Sequence, residues 1–131
     1  MKNILIVEDD LIIAEDIKTT IEKLGHNVID IVVRADNAIE ILNSHKVDLI
    51  LLDITIKGGL NGIDLAEIVN QQFNIPFIYL TSHADPKTVT KAIKTAPQGY
   101  VVKPQKVLVL IASINDIPPI ALPLLVPLGL L

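Results

Sequence analysis

Apolar runs that read as β-strands alternate along this chain with segments of helical periodicity, and this alternation restricts the fold more than any other feature. The five predicted strands cover residues 3–7, 28–33, 48–53, 76–81 and 99–102. Alternating strands and helices are typical of a parallel sheet joined by helical crossovers. Because the runs are largely apolar, both faces of the strands must be covered. The sequence therefore predicts an α/β fold, a doubly wound five-stranded parallel sheet with helices on both faces.

The intervening helices are marked by apolar residues that recur every three or four positions. The stripe on the first helix consists of Ile13, Ile17, Ile21 and Leu24. Gly25 follows this stripe directly, which predicts that the helix ends there with a glycine cap. Similar patterns predict helices over residues 35–44, 62–73 and 86–94. The last of these is shorter and more polar than the others.

Length, charge and cysteine content exclude several classes of protein. With 131 residues the chain has room for one domain with a buried core. Its net charge of −4 and its lack of a basic cluster argue against nucleic-acid binding by this chain. It contains no cysteine, which excludes disulfides and thiolate metal sites. Since its start lacks a signal-peptide pattern, we expect a cytoplasmic location and no membrane association.

Charged and hydroxyl side chains stand where the predicted strands end. Glu8 and Asp9 follow the first strand, Asp53 and Thr81 end the third and fourth, and Lys103 follows the fifth. The carboxyl ends of parallel strands meet at one edge of a sheet, so we expect these side chains to share one pocket. Buried carboxylates repel one another unless a cation joins them. Since Mg²⁺ prefers carboxylate oxygens and keeps waters that a phosphate can displace, the sequence indicates a Mg²⁺ site that handles phosphate.

Four motifs in chain order carry a family resemblance. They are ILIVEDD at 4–10, LLD at 51–53, LTS at 80–82 and YVVKP at 100–104. Together they resemble the receiver domain of bacterial two-component response regulators, and the loop at 58–66 is similar as well. The resemblance covers roughly residues 2–116. It implies the flavodoxin-like strand order 2-1-3-4-5 and a phosphoryl group taken from a sensor histidine kinase or a phosphotransfer protein.

By this resemblance Asp53 is the phosphorylated residue and the nucleophile that attacks phosphorus to form an acyl phosphate. Lys103 is expected to pair with Asp53 before the reaction and with a phosphoryl oxygen afterwards. The Thr81 hydroxyl is expected to bind another phosphoryl oxygen. These three residues form the predicted catalytic set. The chain is otherwise expected not to be an enzyme, because it would catalyse only its own phosphorylation and dephosphorylation.

The resemblance also implies how Mg²⁺ is held. Its ligands are expected to be Asp9, Asp53 and the backbone carbonyl of Thr55, with Glu8 acting through a metal-bound water. Three adjacent acids stand where the family usually has two, so the pairing of Asp9 with Asp10 is an alternative. We prefer Glu8 and Asp9, because Asp10 stands where the following helix needs an N-cap.

Further residues receive accessory roles from the same resemblance. Tyr100 is similar to an aromatic switch that rotates inward when the Thr81 hydroxyl moves toward the phosphate, and a core position is the ordinary alternative. His83 is expected to flank the phosphoryl group and to tune water access, or else to be a solvated loop residue. Ser82 belongs to the hydroxyl motif, and Pro104 is expected to follow a cis peptide bond.

Two other functions stay open at this point. A Mg²⁺-dependent phosphohydrolase of the haloacid dehalogenase type also places a nucleophilic aspartate after an apolar strand. Such enzymes typically carry a second acid at the position that Thr55 occupies here. A receiver-like interaction module would bind partners without being phosphorylated. No zinc site is expected, because His26 and His45 are predicted to lie exposed in turns and no histidine pair has the spacing of metal ligands on a helix.

The chain departs from the family pattern after residue 104. We assign residues 1–116 to the receiver domain and residues 117–131 to an apolar, proline-rich tail. A tail of this length is too short to span a membrane, which takes about 20 residues. A truncation, a frameshift or an added extension is the leading explanation of the tail, followed by an oligomerisation or partner-binding role. Apolar residues on a fifth helix around 107–114 predict a phosphorylation-dependent homodimer or a site for a downstream effector.

Overall fold

The computed structural model describes residues 1–103. Its elements are β1 (Asn3–Val7), α1 (Leu11–Lys23), β2 (Asn27–Val32), α2 (Ala35–Ser44), β3 (Leu49–Leu52), α3 (Gly62–Ile68), β4 (Phe77–Thr81), α4 (Pro86–Ile93) and β5 (Gly99–Val102). A π-helical segment, Val69–Phe73, continues α3, so the third predicted helix has an α part and a π part. Pro104, the predicted fifth helix and the tail at 117–131 lie outside the described residues.

All five strands are parallel, and their order across the sheet is β2-β1-β3-β4-β5. The predicted fold class and strand order are therefore confirmed. The order reverses at β1, because β1 pairs with β2 on one side and with β3 on the other. In sheets of this kind a crevice forms at the carboxyl ends of the strands where the order reverses. The acidic residues that follow β1 and β3 lie at this crevice.

Helices cover both faces of the sheet, as predicted. Leu5 and Val7 of β1 pack into a core with residues of α2, α3 and α4, whereas Ile4 and Ile6 belong to a second core shared with α1. Successive side chains of a strand point to opposite faces, so one strand serves both cores. This explains why β3 is apolar at every position and why β1 is apolar at every position after Asn3. Within residues 1–103, no helix is long and apolar enough to cross a membrane.

The turn between α1 and β2 differs from the prediction at two residues. Leu24, assigned to the apolar stripe of α1, is 43% exposed, because the helix ends one residue earlier and Leu24 is its C-cap. Gly25 has a φ of 89°, which confirms the predicted glycine cap. His26 was predicted to be exposed and is only 8% exposed, since its Nδ1 accepts the Lys2 backbone N–H at 3.0 Å. That prediction was wrong because the turn packs against the start of β1. His45 is exposed as predicted.

Candidate functional site

Asp53 follows the last residue of β3, and the sheet fixes its backbone. Its N–H donates to the Val7 carbonyl at 2.9 Å, so the ladder between β1 and β3 continues to this residue, whose side chain is buried. The first residue of α3, Gly62, packs against the backbone of Asp53 and Ile54. A Cβ on Gly62 would lie 2.1 Å from the Asp53 carbonyl oxygen, and the Gly62 N–H donates to the Ile54 carbonyl at 2.8 Å. Only glycine permits this close approach of helix and strand.

Two further carboxylates meet Asp53 at this edge of the sheet. One carboxylate oxygen from each of Glu8, Asp9 and Asp53 lies within 4.8 Å of the other two. Several carboxylate oxygens at such separations are a donor set that fits a hard divalent cation such as Mg²⁺. Asp10 instead caps α1, because its Oδ1 accepts two backbone N–H groups of the first turn at 3.1 and 3.3 Å. The predicted cap is therefore confirmed, and the geometry favours Glu8 rather than Asp10 as the companion of Asp9.

Lys103 brings a positive charge to this acidic cluster. Its backbone N–H donates to the Thr81 carbonyl at 2.9 Å, which fixes the residue beside β4. Its Nζ donates to Asp53 Oδ2 at 3.0 Å and also to Glu8 Oε1. The contact with Asp53 is the one that the sequence predicts. The contact with Glu8 was not predicted, because the family resemblance implies only a role toward the metal for Glu8.

Burial and mutual contact shift the pKa values of Glu8 and Lys103. Burial is the main cause that raises the pKa of Glu8 to about 7, while the hydrogen bond from Lys103 opposes the shift and the nearby Asp53 adds to it. Burial by itself lowers the pKa of Lys103, but its hydrogen bonds to Glu8 and Asp53 outweigh burial and place this pKa above the ordinary value. The cluster thus keeps the lysine charged and contains one carboxylate that takes up a proton near neutral pH.

The loop between β4 and α4 links Thr81 to Tyr100. Thr81 is buried at the end of β4, and its Oγ1 accepts the His83 backbone N–H at 3.3 Å. Tyr100 is buried in β5, and its hydroxyl donates to the His83 carbonyl at 2.8 Å. Burial raises the pKa of Tyr100 to about 12, and the charges of Asp85 and Asp53 add to this shift. Tyr100 therefore occupies an inward position, and the rotation expected of a switch stays a prediction.

A side-chain contact between Thr55 and His83 lies beside the site and was not predicted from the sequence. Thr55 Oγ1 and His83 Nε2 lie 2.6 Å apart, and His83 Nδ1 is 3.6 Å from Asp85 Oδ1. The Thr55 backbone N–H also donates to Asp53 Oδ1 at 3.2 Å. The positions of the two residues in the sequence could have indicated this contact. Thr55 follows Asp53 by two residues and His83 follows Thr81 by two residues, so both lie just beyond the ends of neighbouring strands. Ser82, which was assigned an accessory role, is exposed.

Comparisons with known proteins agree with the motifs. A family model described as a response regulator receiver domain matches residues 4–115. The transcriptional regulatory protein YvrH of Bacillus subtilis (strain 168) is 32% identical over 114 residues, which cover 86% of this chain and 47% of that protein. The heme response regulator HssR of Staphylococcus saprophyticus is 34% identical over 107 residues, which cover 82% of this chain and 47% of that protein. The chain thus spans about half the length of these two relatives.

A solved structure shows the same fold. The signal receiver domain of a modulated diguanylate cyclase from Desulfovibrio desulfuricans G20 superposes with a TM-score of 0.81 and is 30% identical. The match covers 89% of this chain and 93% of that one. These relatives give no support to the alternative of a dehalogenase-type phosphohydrolase.

Proposed function

This chain belongs to the response regulator receiver domain family, and we propose that it accepts a phosphoryl group on Asp53. One observation carries the proposal. Asp53 is buried beside two further carboxylates, and the Lys103 ammonium contacts it at 3.0 Å. A carboxylate held in this way is a nucleophile whose charge-neutralising partner is already in place.

In the proposed reaction an Asp53 carboxylate oxygen attacks the phosphorus of a phosphohistidine. A P–O bond forms, the P–N bond breaks, and its electron pair leaves with the donor nitrogen. Phosphoryl transfer depends mainly on alignment and charge neutralisation. Lys103 Nζ then pairs with a phosphoryl oxygen, and the Thr81 hydroxyl donates to another. The protein is proposed to catalyse only its own phosphorylation and dephosphorylation.

The carboxylates of Glu8, Asp9 and Asp53 fit Mg²⁺, and we assign them to its binding together with the Thr55 backbone carbonyl. Glu8 is assigned to act through a metal-bound water. When bound, Mg²⁺ supplies positive charge that balances the phosphoryl oxygens. The chain holds two of these carboxylates in place, because the Asp10 N–H donates to Glu8 Oε2 and the Thr55 N–H donates to Asp53 Oδ1, each at 3.2 Å.

A sensor histidine kinase or a phosphotransfer protein is the proposed phosphoryl donor. Its phosphohistidine has to reach Asp53, so the donor has to contact the rim of the site. Leu11 and Ile12 begin α1 beside the acidic loop, and they are 56% and 79% exposed. Exposed apolar side chains at this position suit such a contact. The phosphorylated protein is then proposed to form a homodimer or to bind a downstream effector.

Intact-mass spectrometry after incubation with Mg²⁺ and acetyl phosphate tests the proposal. We expect a single phosphoryl adduct that Asp53→Asn loses and that Asp9→Asn forms with a weaker dependence on Mg²⁺. Asp16→Asn changes an exposed aspartate of α1 and is the matched control, which should keep the adduct. An unchanged adduct in Asp53→Asn would refute the assignment. An absent adduct in the wild type would favour the interaction module that is not phosphorylated.

A further inference from the structure

Thr95 lies two residues after the end of α4, and its side chain is buried, with 5% exposed. Its hydrogen bonds connect the end of this helix to two neighbouring elements. Its Oγ1 lies 2.7 Å from the Tyr79 hydroxyl of β4 and donates to the Ala92 carbonyl at 2.5 Å. Its own carbonyl accepts the Asn70 side-chain N–H at 2.6 Å, and Asn70 belongs to the π-helical segment after α3. None of these residues contacts the acidic cluster in the part of the chain that the structure describes.

The hydrogen positions in this group follow from its geometry. A threonine hydroxyl has one hydrogen to donate, and at Thr95 that hydrogen is used on the Ala92 carbonyl. The Tyr79 hydroxyl must therefore be the donor in the contact with Thr95. Tyr79 is fully buried, so loss of the threonine oxygen would leave a buried O–H without a partner. The arrangement fixes the rotamers of both side chains.

The backbone beside Thr95 is also tightly specified. Ala96 has a φ of 55°, although alanine rarely adopts the left-handed conformation. Its N–H donates to the Ile93 carbonyl at 2.9 Å, which closes the last turn of α4. A strained conformation of this kind persists only where the surrounding contacts determine it. A π-helical turn is likewise rare, and here it carries the asparagine that reaches Thr95.

The start of α4 is connected quite differently. Asp85 caps the helix by accepting the Thr88 N–H at 3.0 Å, and both residues are at least partly exposed. The loop before this cap is held through His83, which contacts Thr81, Thr55 and Tyr100. The hydrogen bonds at the start of α4 thus lead to the acidic site, whereas those at its end lead to β4 and to the π-helical segment after α3.

We propose that Thr95 is a pivot that holds the end of α4 in place, so that a change at Asp53 moves only the start of this helix and the loop before it. The inference rests on the proposed function, because phosphorylation of Asp53 supplies the change. A helix anchored at one end turns a small displacement of Thr81 and His83 into a rotation. The contacts of Thr95 with Tyr79 and Asn70 hold the end of α4 still during this rotation.

Amide hydrogen exchange of the full chain, with and without beryllofluoride and Mg²⁺, tests the pivot. In the wild type the mimic should change exchange at 83–89 and leave 91–96 nearly unchanged. Thr95→Val keeps the side-chain shape and removes the hydroxyl. It should make exchange at 91–96 roughly tenfold faster without the mimic, and it should extend the effect of the mimic to 91–96. Tyr79→Phe removes only the other hydroxyl and should act in the same direction.

Thr90→Val is the matched control, because Thr90 is an exposed threonine of the same helix, and its exchange pattern should match that of the wild type. Exchange at 91–96 that stays at the wild-type rate in folded Thr95→Val and Tyr79→Phe would overturn the pivot, and this comparison needs no mimic. Fluorine NMR of bound beryllofluoride reports on the acidic site separately. If beryllofluoride fails to bind the wild type, that result counts against the proposed function. The exchange rates at 91–96 measured without beryllofluoride still show whether Thr95 anchors the end of α4.

Discussion

Gly62→Ala is expected to damage stability and phosphorylation together, because the start of α3 leaves no room for a Cβ. The added carbon would lie 2.1 Å from the Asp53 carbonyl oxygen and 2.7 Å from the Ile54 Cα. Both neighbours are backbone atoms at the end of β3, which cannot turn aside as a flexible side chain does. Such overpacking lowers the free energy of unfolding by about 3 kcal/mol. Replacing glycine by alanine also reduces the entropy of the unfolded chain, which raises the free energy of unfolding by up to about 1 kcal/mol. We therefore expect a net loss of about 2 kcal/mol.

Urea unfolding measures this loss. With a slope of about 2 kcal/mol per molar urea for a small domain, the midpoint should fall by about 1 M. The loss is smaller than the stability of an ordinary domain, so the variant should still fold. Its rate of Mg²⁺-dependent phosphorylation should fall as well, because the clash displaces the backbone that carries the Asp53 carboxylate.

Two other glycines provide matched controls. A Cβ on Gly59 meets no atom within 4 Å, so Gly59→Ala should change stability by less than about 0.5 kcal/mol. A Cβ on Gly25 also meets no atom within 4 Å, but Gly25 has a φ of 89°, so Gly25→Ala should lower the free energy of unfolding by about 1 kcal/mol. Gly25 precedes β2 and therefore lies at the amino ends of the parallel strands, whereas Asp53 lies at their carboxyl ends. It should therefore lose stability without losing phosphorylation. An unchanged midpoint in Gly62→Ala, or an equal loss of phosphorylation in Gly25→Ala, would refute the reasoning.

Three further predictions concern single residues. Ala96→Gly should raise the free energy of unfolding by about 0.5–1 kcal/mol, because a φ of 55° costs alanine about 1–2 kcal/mol and the greater entropy of unfolded glycine offsets part of that relief; an unchanged urea midpoint would count against strain there. Because burial raises the pKa of Glu8 to about 7, this carboxylate becomes charged between about pH 6 and about pH 8 and then accepts the metal-bound water more strongly, so Mg²⁺ affinity measured by calorimetry should rise over this range. Glu8→Gln should flatten that rise, and a wild-type affinity independent of pH would contradict the assignment. Lys103→Ala and Thr81→Ala should still accept some phosphate but lose the change that the mimic produces in backbone chemical shifts; wild-type shifts in both would show that neither residue senses the phosphate.

The fold could be predicted because its main determinants are local. Apolar runs fixed the strands, and the recurrence of Ile13, Ile17 and Ile21 fixed the buried face of α1. The errors lie where a distant contact overrides the local pattern. His26 is buried by the backbone of Lys2, which lies 24 residues earlier in the chain. The π-helical continuation of α3 has no local signature of the kind that apolar periodicity provides.

The sequence predicted which residues share the site and the Lys103 contact with Asp53, but two other side-chain contacts could not be predicted. The ends of parallel strands meet at one edge, so the sequence brings Asp53, Glu8 and Lys103 together. Which side chains then touch depends on rotamers from elements far apart in the chain. The Lys103 contact with Glu8 joins residues 95 positions apart, and the Thr55 contact with His83 joins residues 28 apart. Neither follows from any motif.

The charge balance of the site indicates which of its groups must move. If all three were ionised, the carboxylates of Glu8, Asp9 and Asp53 would exceed the single charge of the Lys103 ammonium by two negative charges, in a cluster of which Glu8 and Asp53 are buried. The raised pKa of Glu8 is a consequence of this environment, and a divalent cation would balance the excess. In the proposed reaction a phosphoryl group on Asp53 would add negative charge, and Lys103 is proposed to exchange a carboxylate contact for a phosphoryl oxygen. Since the Lys103 backbone N–H donates to the Thr81 carbonyl, the proposed exchange would act on the end of β4, where the loop to α4 begins.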